Sequence, residues 1–314
     1  MKVCYYPDVD LPESARPAVT LGNFDGVHLG HRRAMELLKT RAKALGAPAV
    51  ALTFEPHPVS VVRPEQAPER ILTPELKQEA LAELELDYLV VIHFTKEFSR
   101  IEPRAFVEDV LVGKLHVAEL VLGENFRFGR ARAGDLESLR VLGEQYGFVL
   151  HRVEASSYDG AIISSSRIRQ SLMNGRVDEA GAMLGREFFL QGRVIEGDGR
   201  GRLMGFPTAN VKVDGDLLLG DGVYVTDAVI DGERYPGMTH VGRRPTFGLE
   251  ERMVETNLFD FDRQVYGLKA RLYFHQRIRG TVTFDSAEAL KTQLEQDRKQ
   301  ALALFRRHGR NLVL

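Results

Sequence analysis

Between residues 22 and 31 the chain reads GNFDGVHLGH. Two histidines, His28 and His31, stand three positions apart among the glycines Gly22, Gly26 and Gly30. Glycine lets a backbone come close to a ligand. A helix opening here would turn its free N–H groups and positive dipole end toward an anion, and two imidazoles beside it can donate hydrogen bonds to phosphate oxygens. Nucleotidyl transfer asks for little more: attacking and leaving oxygens held in line, and the charge at the α-phosphate neutralised. Gly22, Asn23, Phe24 and Asp25 are candidates to seat the nucleotide. By itself the segment also fits a glycine-rich turn with two solvated histidines, and its spacing is not that of the GxGxxG dinucleotide fingerprint.

Further stretches carry chemistry. Ser164, Ser165 and Ser166 followed by Arg167 put hydroxyls and a guanidinium at a helix start, a second phosphate grip or an ordinary serine cap. The loop 123–129, GENFRFG, offers Asn125 and aromatic faces to a planar ring, or simply turns the chain over core phenylalanines. Residues 197–210 read GDGRGRLMGFPTAN. There Gly199, Gly201 and Gly205 suit a flap whose backbone N–H groups wrap phosphates, while Thr208 and Asn210 present two hard oxygens on one side of an extended chain, a donor set for Mg2+ shared with substrate phosphates. Arg244 belongs to the following RPTFG string. Glu255 is a carboxylate in a strand of the same half, able to take the proton of an attacking hydroxyl or to stand on the surface.

The elements that must position these residues divide the chain in two. Ala18–Leu21 reads as a buried strand and His31–Leu45 as a helix with one apolar face ended by Gly46. Strand signals at 49–54, 88–94, 120–122 and 148–153 alternate with helix signals at 74–84, 103–111 and 136–146. That alternation predicts right-handed crossovers and a Rossmann-like parallel sheet with helices on both faces. Two short helices follow, 165–174 and 177–184. From residue 188 the pattern becomes short strands with glycine turns. Asp231-Gly232 is a hairpin signal between two of them, and the whole is the pattern of an antiparallel barrel closed by a C-terminal helix from residue 285 or 286. The expected domains are 1–184 and 185–314, and the HxGH segment falls at the carboxyl end of the first strand read, where open α/β sheets bind ligands.

Composition narrows the class. Charges nearly cancel, 42 basic against 44 acidic, so no general attraction to nucleic acid or an anionic membrane is expected. Apolar residues make up 44%, enough for real cores. The single cysteine, Cys4, excludes an internal disulfide. No apolar run approaches the roughly 20 residues that span a bilayer, and the first residues lack the apolar core of a signal peptide. A cytoplasmic protein acting on small molecules, with no obligate protein partner indicated, is the expectation.

The motifs together resemble a known family. GNFDGVHLGH, TFEPHP at 53–58, the GENFRFG loop and ISSSRIR resemble the adenylyltransferase module of bacterial bifunctional riboflavin kinase/FAD synthetases over about residues 15–184. Family members often read ISSTRIR, so Ser166 stands for a threonine and keeps the hydroxyl. GRLMGFPTAN, RPTFG and the strand around Glu255 resemble riboflavin kinase over about residues 186–306. The resemblance implies ATP phosphates on His28 and His31, Asn125 in the nucleotide and flavin pocket, and Ser165, Ser166 and Arg167 completing the phosphate site. It also implies a six-stranded flavokinase barrel, Mg2+ on Thr208 and Asn210, and Glu255 as base toward the ribityl 5′-hydroxyl. ATP would be co-substrate, and riboflavin, FMN and FAD the substrates and products. Two places depart from the family pattern: Asn257 stands where ETH motifs carry histidine, and Thr239-His240 where an Ala-Asn pair is frequent. Three rivals remain open: a chain with one working module, a flavin-binding sensor, and an adenylyltransferase for another phosphate acceptor.

Overall fold

The computed structural model describes residues 1–9, 11–197, 205–243 and 252–307. The chain forms two compact units, Met1–Ser165 and Ser166–Leu314.

The first unit is a parallel sheet with helical crossovers. Its elements are β1 (Lys2–Tyr6), β2 (Ala18–Leu21), α1 (Leu29–Leu45), β3 (Ala49–Glu55), α2 (Pro58–Val62), α3 (Pro74–Ala82), β4 (Tyr88–His93), α4 (Pro103–Ala105), β5 (Glu119–Gly123), α5 (Leu136–Tyr146), β6 (Val149–Val153) and a small hairpin of β7 (Ser157–Tyr158) and β8 (Ala161–Ile162). The strand order is β1-β4-β3-β2-β5-β6, every neighbouring pair parallel. Strands β2 to β5 are nearly continuous apolar runs, as a sheet covered on both faces requires. β2 leads through α1 to β3 on one side, whereas β5 lies on the other. The order therefore reverses between β2 and β5, and the loops leaving their carboxyl ends flank the crevice where such sheets take ligands. Those loops are residues 22–28 and 124–135.

Local signals placed most of these helices. Thr73 caps α3 by accepting from the Leu76 N–H at 3.3 Å, with Pro74 at the first helical position. Asp135 and Ser138 close a reciprocal capping box on α5. Two differences from the sequence reading stand out. β1 was not anticipated; it adds an edge strand beside β4. The expected helix from Pro103 is α-helical only to Ala105 and continues as a π-helix over Phe106–Val112.

In the second unit, α6 (Ser165–Met173), whose first residue closes the first unit, and α7 (Val177–Leu184) precede β9 (Phe188–Ile195), β10 (Ala209–Val213), β11 (Gly222–Ile230), β12 (Glu233–Arg243), β13 (Arg252–Leu258), β14 (Lys269–Arg279) and α8 (Ala287–Arg307). The six strands close an antiparallel barrel in the order β10-β13-β12-β11-β14-β9. Asp231 and Gly232 both take positive φ, 56° and 83°, in the turn joining β11 to β12. Compactness divides the chain earlier than residue 184, because α7 packs on β14 and β9, and the end of α6 is tied to the barrel by the Gly220 N–H on the Leu172 carbonyl at 2.9 Å.

Inward and outward faces of the barrel alternate along each strand. Thr226, Thr239 and Thr256 are buried inside, their hydroxyls linked at 2.7 and 3.0 Å. Val223, Val225 and Met238 face outward and form an apolar cluster with Phe206, Phe259, and Ala301 and Phe305 of α8. α8 thus covers the outside of β11 and β12 through Ala301 and Phe305. No helix among the described residues is long and apolar enough to cross a membrane.

Candidate active sites

The loop after β2 is held in a strained shape. Phe24, Gly26 and Val27 have positive φ of 50°, 82° and 42°. For β-branched Val27 this is costly, about 1–3 kcal/mol, and persists only where surroundings enforce it. The enforcing contacts are specific. Asp25 is buried and its carboxylate accepts from the N–H groups of Ile71 and Leu72, at 3.1 and 3.3 Å. The Ser165 hydroxyl donates to the Asp25 carbonyl at 2.9 Å. The Asn23 amide meets His57 Nε2 at 3.0 Å. His57 Nδ1 accepts from the Val59 N–H at 3.2 Å, which fixes the ring beside Asn23 Nδ2. The TFEPHP strand end holds one more tie that sequence reasoning missed: Glu55 pairs with Arg70 at 2.9 Å and with buried Lys77 at 3.2 Å, fixing the segment that meets Asp25.

This loop delivers two histidines to the start of α1. His28 is the N-cap, its Nδ1 accepting from the His31 N–H at 3.3 Å, so α1 begins two residues before the sequence reading placed it. The cap assigns the neutral His28 proton to Nε2. The two rings stack with centroids 3.6 Å apart and planes 15° from parallel. Phe24 meets His31 edge to face at 5.4 Å. A Cβ on Gly30 would stand only 3.1 Å from His28 Cε1, so glycine leaves the room this ring needs. Burial, reinforced by His28, holds the His31 imidazole well below its usual pKa. His31 Nδ1 is buried with no hydrogen-bond partner, a donor or acceptor awaiting a ligand. The first turn of α1 has no acidic residue, which leaves its positive end open to an anion.

The other residues expected here are distributed as follows. Asn125 is exposed in the turn after β5, the strand beside β2, and Phe126 behind it stacks on Phe128 at 5.9 Å. Ser165 reaches the loop itself, through Asp25. Ser166 and Arg167 occupy the first turn of α6. Thus His28, His31, Phe24, Asp25 and Ser165 converge; the carboxylate of Asp25 is turned to the backbone of residues 71–72.

In the barrel the key arrangement is a row across strands. Asn210 on β10 pairs with Glu255 on β13, and Glu255 with His240 on β12. Their neighbours Ala209, Thr256 and Thr239 form the inward row, so Asn210, Glu255 and His240 share the outer face. The row continues through Val223 to Arg279 on β14. Asn210 is nevertheless only 4% exposed. Part of its cover is the backbone at Gly197: a Cβ there would lie 1.9 Å from Asn210 Nδ2. Burial lowers the His240 pKa, with Arg279 adding to the effect and Glu255 opposing it, so a neutral imidazole flanks Glu255. Arg279 forks onto Asp297 of α8 at 2.8–3.1 Å, and Gln293 donates to the same carboxylate. Thr208 is half-buried just before β10. Gly205 has φ of 82° in the turn before Phe206. Gly199, Gly201 and Arg244 lie outside the described residues.

Among the described residues no group of three or more His, Cys, Asp or Glu could hold a metal ion. The hard oxygens of Thr208 and Asn210 suit a divalent cation that completes its shell on substrate phosphates and water.

Comparison with known proteins follows the same division. A family model described as FAD synthetase matches residues 11–167, and one described as riboflavin kinase matches residues 184–305. A bifunctional riboflavin kinase/FMN adenylyltransferase of Bacillus subtilis is 36% identical over 93% of this chain and 94% of its own length. Its namesake in Escherichia coli K12 is 34% identical over 91% and 92%. A crystal structure described as a macrolide-efflux protein from Streptococcus pneumoniae has a TM-score of 0.85 at 30% identity, covering 95% of this chain and 98% of that one.

Proposed function

The chain belongs to the bifunctional riboflavin kinase/FMN adenylyltransferase family, and on that premise we propose which residues perform each reaction. The protein phosphorylates riboflavin to FMN and adenylylates FMN to FAD. We place the functional division at 184/185, one residue after the start of the riboflavin kinase match at residue 184.

In the kinase half, Glu255 accepts the proton as the ribityl 5′-hydroxyl oxygen bonds to the γ-phosphorus of ATP and the bond to the β-phosphate oxygen breaks, releasing ADP. Thr208 and Asn210 would hold Mg2+, which would neutralise phosphate charge. The carrying observation is the cross-strand pairing of Asn210 with Glu255, which supports reading one as a cation ligand and the other as the base beside it. Gly199, Gly201, Gly205 and Arg244 are assigned to the phosphate and flavin contacts by resemblance.

In the adenylyltransferase half, an FMN phosphate oxygen attacks the α-phosphorus of a second ATP and pyrophosphate leaves. His28, His31 and the N-terminus of α1 stabilise the charge in transit. Gly22, Asn23, Phe24 and Asp25 shape the turn, Ser165 locks it, and Asn125 faces the base or flavin. Ser166 and Arg167 follow Ser165 in the chain and are assigned to the phosphates. The partners are small molecules, ATP, riboflavin and FMN, and the cytoplasm, where ATP is available, is the proposed location.

The test is a time course with purified protein, riboflavin, ATP and Mg2+, resolved by chromatography. FMN should appear first and FAD second. Separate starts from riboflavin and from FMN detect a chain with one working half; flavin binding with no product from either start would overturn the reading in favour of a sensor.

A further inference from the structure

Asn257 lies on the outer face of β13, two residues beyond Glu255 and opposite Met238. It is only 6% exposed, and its Nδ2 donates to the Pro207 carbonyl at 2.7 Å. Pro207 immediately precedes Thr208, and β10 starts only at Ala209, so no strand pairing orients the peptide between them.

Two constraints act on that peptide. The proline ring fixes φ of residue 207 near −65°. The Asn257 amide captures the carbonyl and so fixes its ψ. Because the peptide unit is planar, the Thr208 N and Cα are then placed as well. Phe206, one residue earlier, is anchored in the apolar cluster under α8, and Asn210, two residues later, is in the ladder. Asn257 is the polar tie between these anchors.

We propose that Asn257 is a positioning residue of the kinase site: by holding the Pro207 carbonyl it aims the Thr208 hydroxyl at the cation shared with the nucleotide phosphates. This rests on the reading of Thr208 and Asn210 as Mg2+ ligands. The position requires a donor. An aspartate of the same shape presents only acceptors to a carbonyl, whereas a histidine, the residue seen here in related ETH motifs, can donate a ring N–H.

The experiment compares full-length Asn257→Ala, Asn257→Asp and Asn257→His with wild type. Riboflavin phosphorylation is titrated with Mg2+, and ADP binding in the presence of Mg2+ is measured by calorimetry. Ala and Asp should each weaken Mg2+-dependent binding and raise the Mg2+ needed for half-maximal rate by about tenfold or more, the scale for losing a group that orients a ligand. His should remain close to wild type, as should riboflavin binding without Mg2+; the Asp variant, which buries a carboxylate against a carbonyl, should also lose melting temperature. Wild-type Mg2+ dependence in both Ala and Asp, or an equal loss of riboflavin binding without Mg2+, would overturn the proposal. Thr208→Ala and Asn210→Ala are run alongside: if they leave Mg2+ dependence unchanged, it is the ligand assignment that fails.

Discussion

His28 and His31 lie ring on ring, 3.6 Å between centroids, with His31 Nδ1 buried and unpartnered. Stacked imidazolium ions would repel, and burial already disfavours charge on His31. ATP brings the missing counter-charge, which favours the protonated form. ATP binding near neutral pH should therefore take up protons, measured by calorimetry in buffers of different ionisation enthalpy. His31→Asn should abolish the uptake; unchanged uptake in that variant would show that the proton goes elsewhere. The same shift affects stability. The unfolded chain protonates this residue below about pH 6.5 while the folded chain resists, so stability is full above that pH and falls as pH drops toward the lowered folded value. His31→Asn should flatten this acid slope. Either histidine replaced by alanine should cut FAD formation by about 10²–10³-fold, as for removal of a transition-state donor, with riboflavin phosphorylation kept.

Asp25 separates two roles. Its carboxylate accepts from two backbone N–H groups, and leaving a buried donor unpaired costs about 1–3 kcal/mol. Asp25→Ala should lower the melting temperature and FAD formation together. Asp25→Asn keeps an acceptor oxygen and should restore much of both. If Asp25→Asn instead lost activity at unchanged stability, the carboxylate would be acting on the nucleotide directly.

These cases show what the sequence discloses. His28 and His31 were legible because the strand, the glycines and the helix start are all local, and the sheet order then set their loop at the reversal between β2 and β5. The destination of Asp25 was not, since Ile71 and Leu72 lie 46 and 47 residues away and backbone N–H groups leave no signature of residue type. Likewise PTAN was recognisable as a motif, but its continuation as β10 was hidden behind a glycine-rich run, and the Asn257 tie spans 50 residues. β1 escaped notice because its exposure follows no clean alternation: it is an edge strand.

Gly197 stands where an added Cβ would be 1.9 Å from Asn210 Nδ2. The substitution Gly197→Ala must move Asn210 or its own backbone. A displacement of about 1 Å in a reacting constellation can cost about 10²-fold, so riboflavin phosphorylation should fall by that order. Adenylylation of supplied FMN should remain, and stability should change little. A wild-type kinase rate would remove Asn210 from the site.

Arg279 and Asp297 join the far end of the Asn210–Glu255–His240 row to α8, and Asp297 is fully buried. Removing the arginine strands a carboxylate without its cation, which costs about 3–5 kcal/mol. Arg279→Ala should thus loosen α8 from the outer face of the barrel, lower the melting temperature and depress riboflavin phosphorylation, while FMN adenylylation continues. Replacing both partners by apolar residues, Arg279→Met with Asp297→Leu, removes the stranded charge and should recover most of the stability. The kinase rate of that double variant then decides what the pair is for. Recovery with stability means that the ion pair only fastens the helix; a rate still depressed at restored stability means that the arginine also orders the row beside Glu255 and His240.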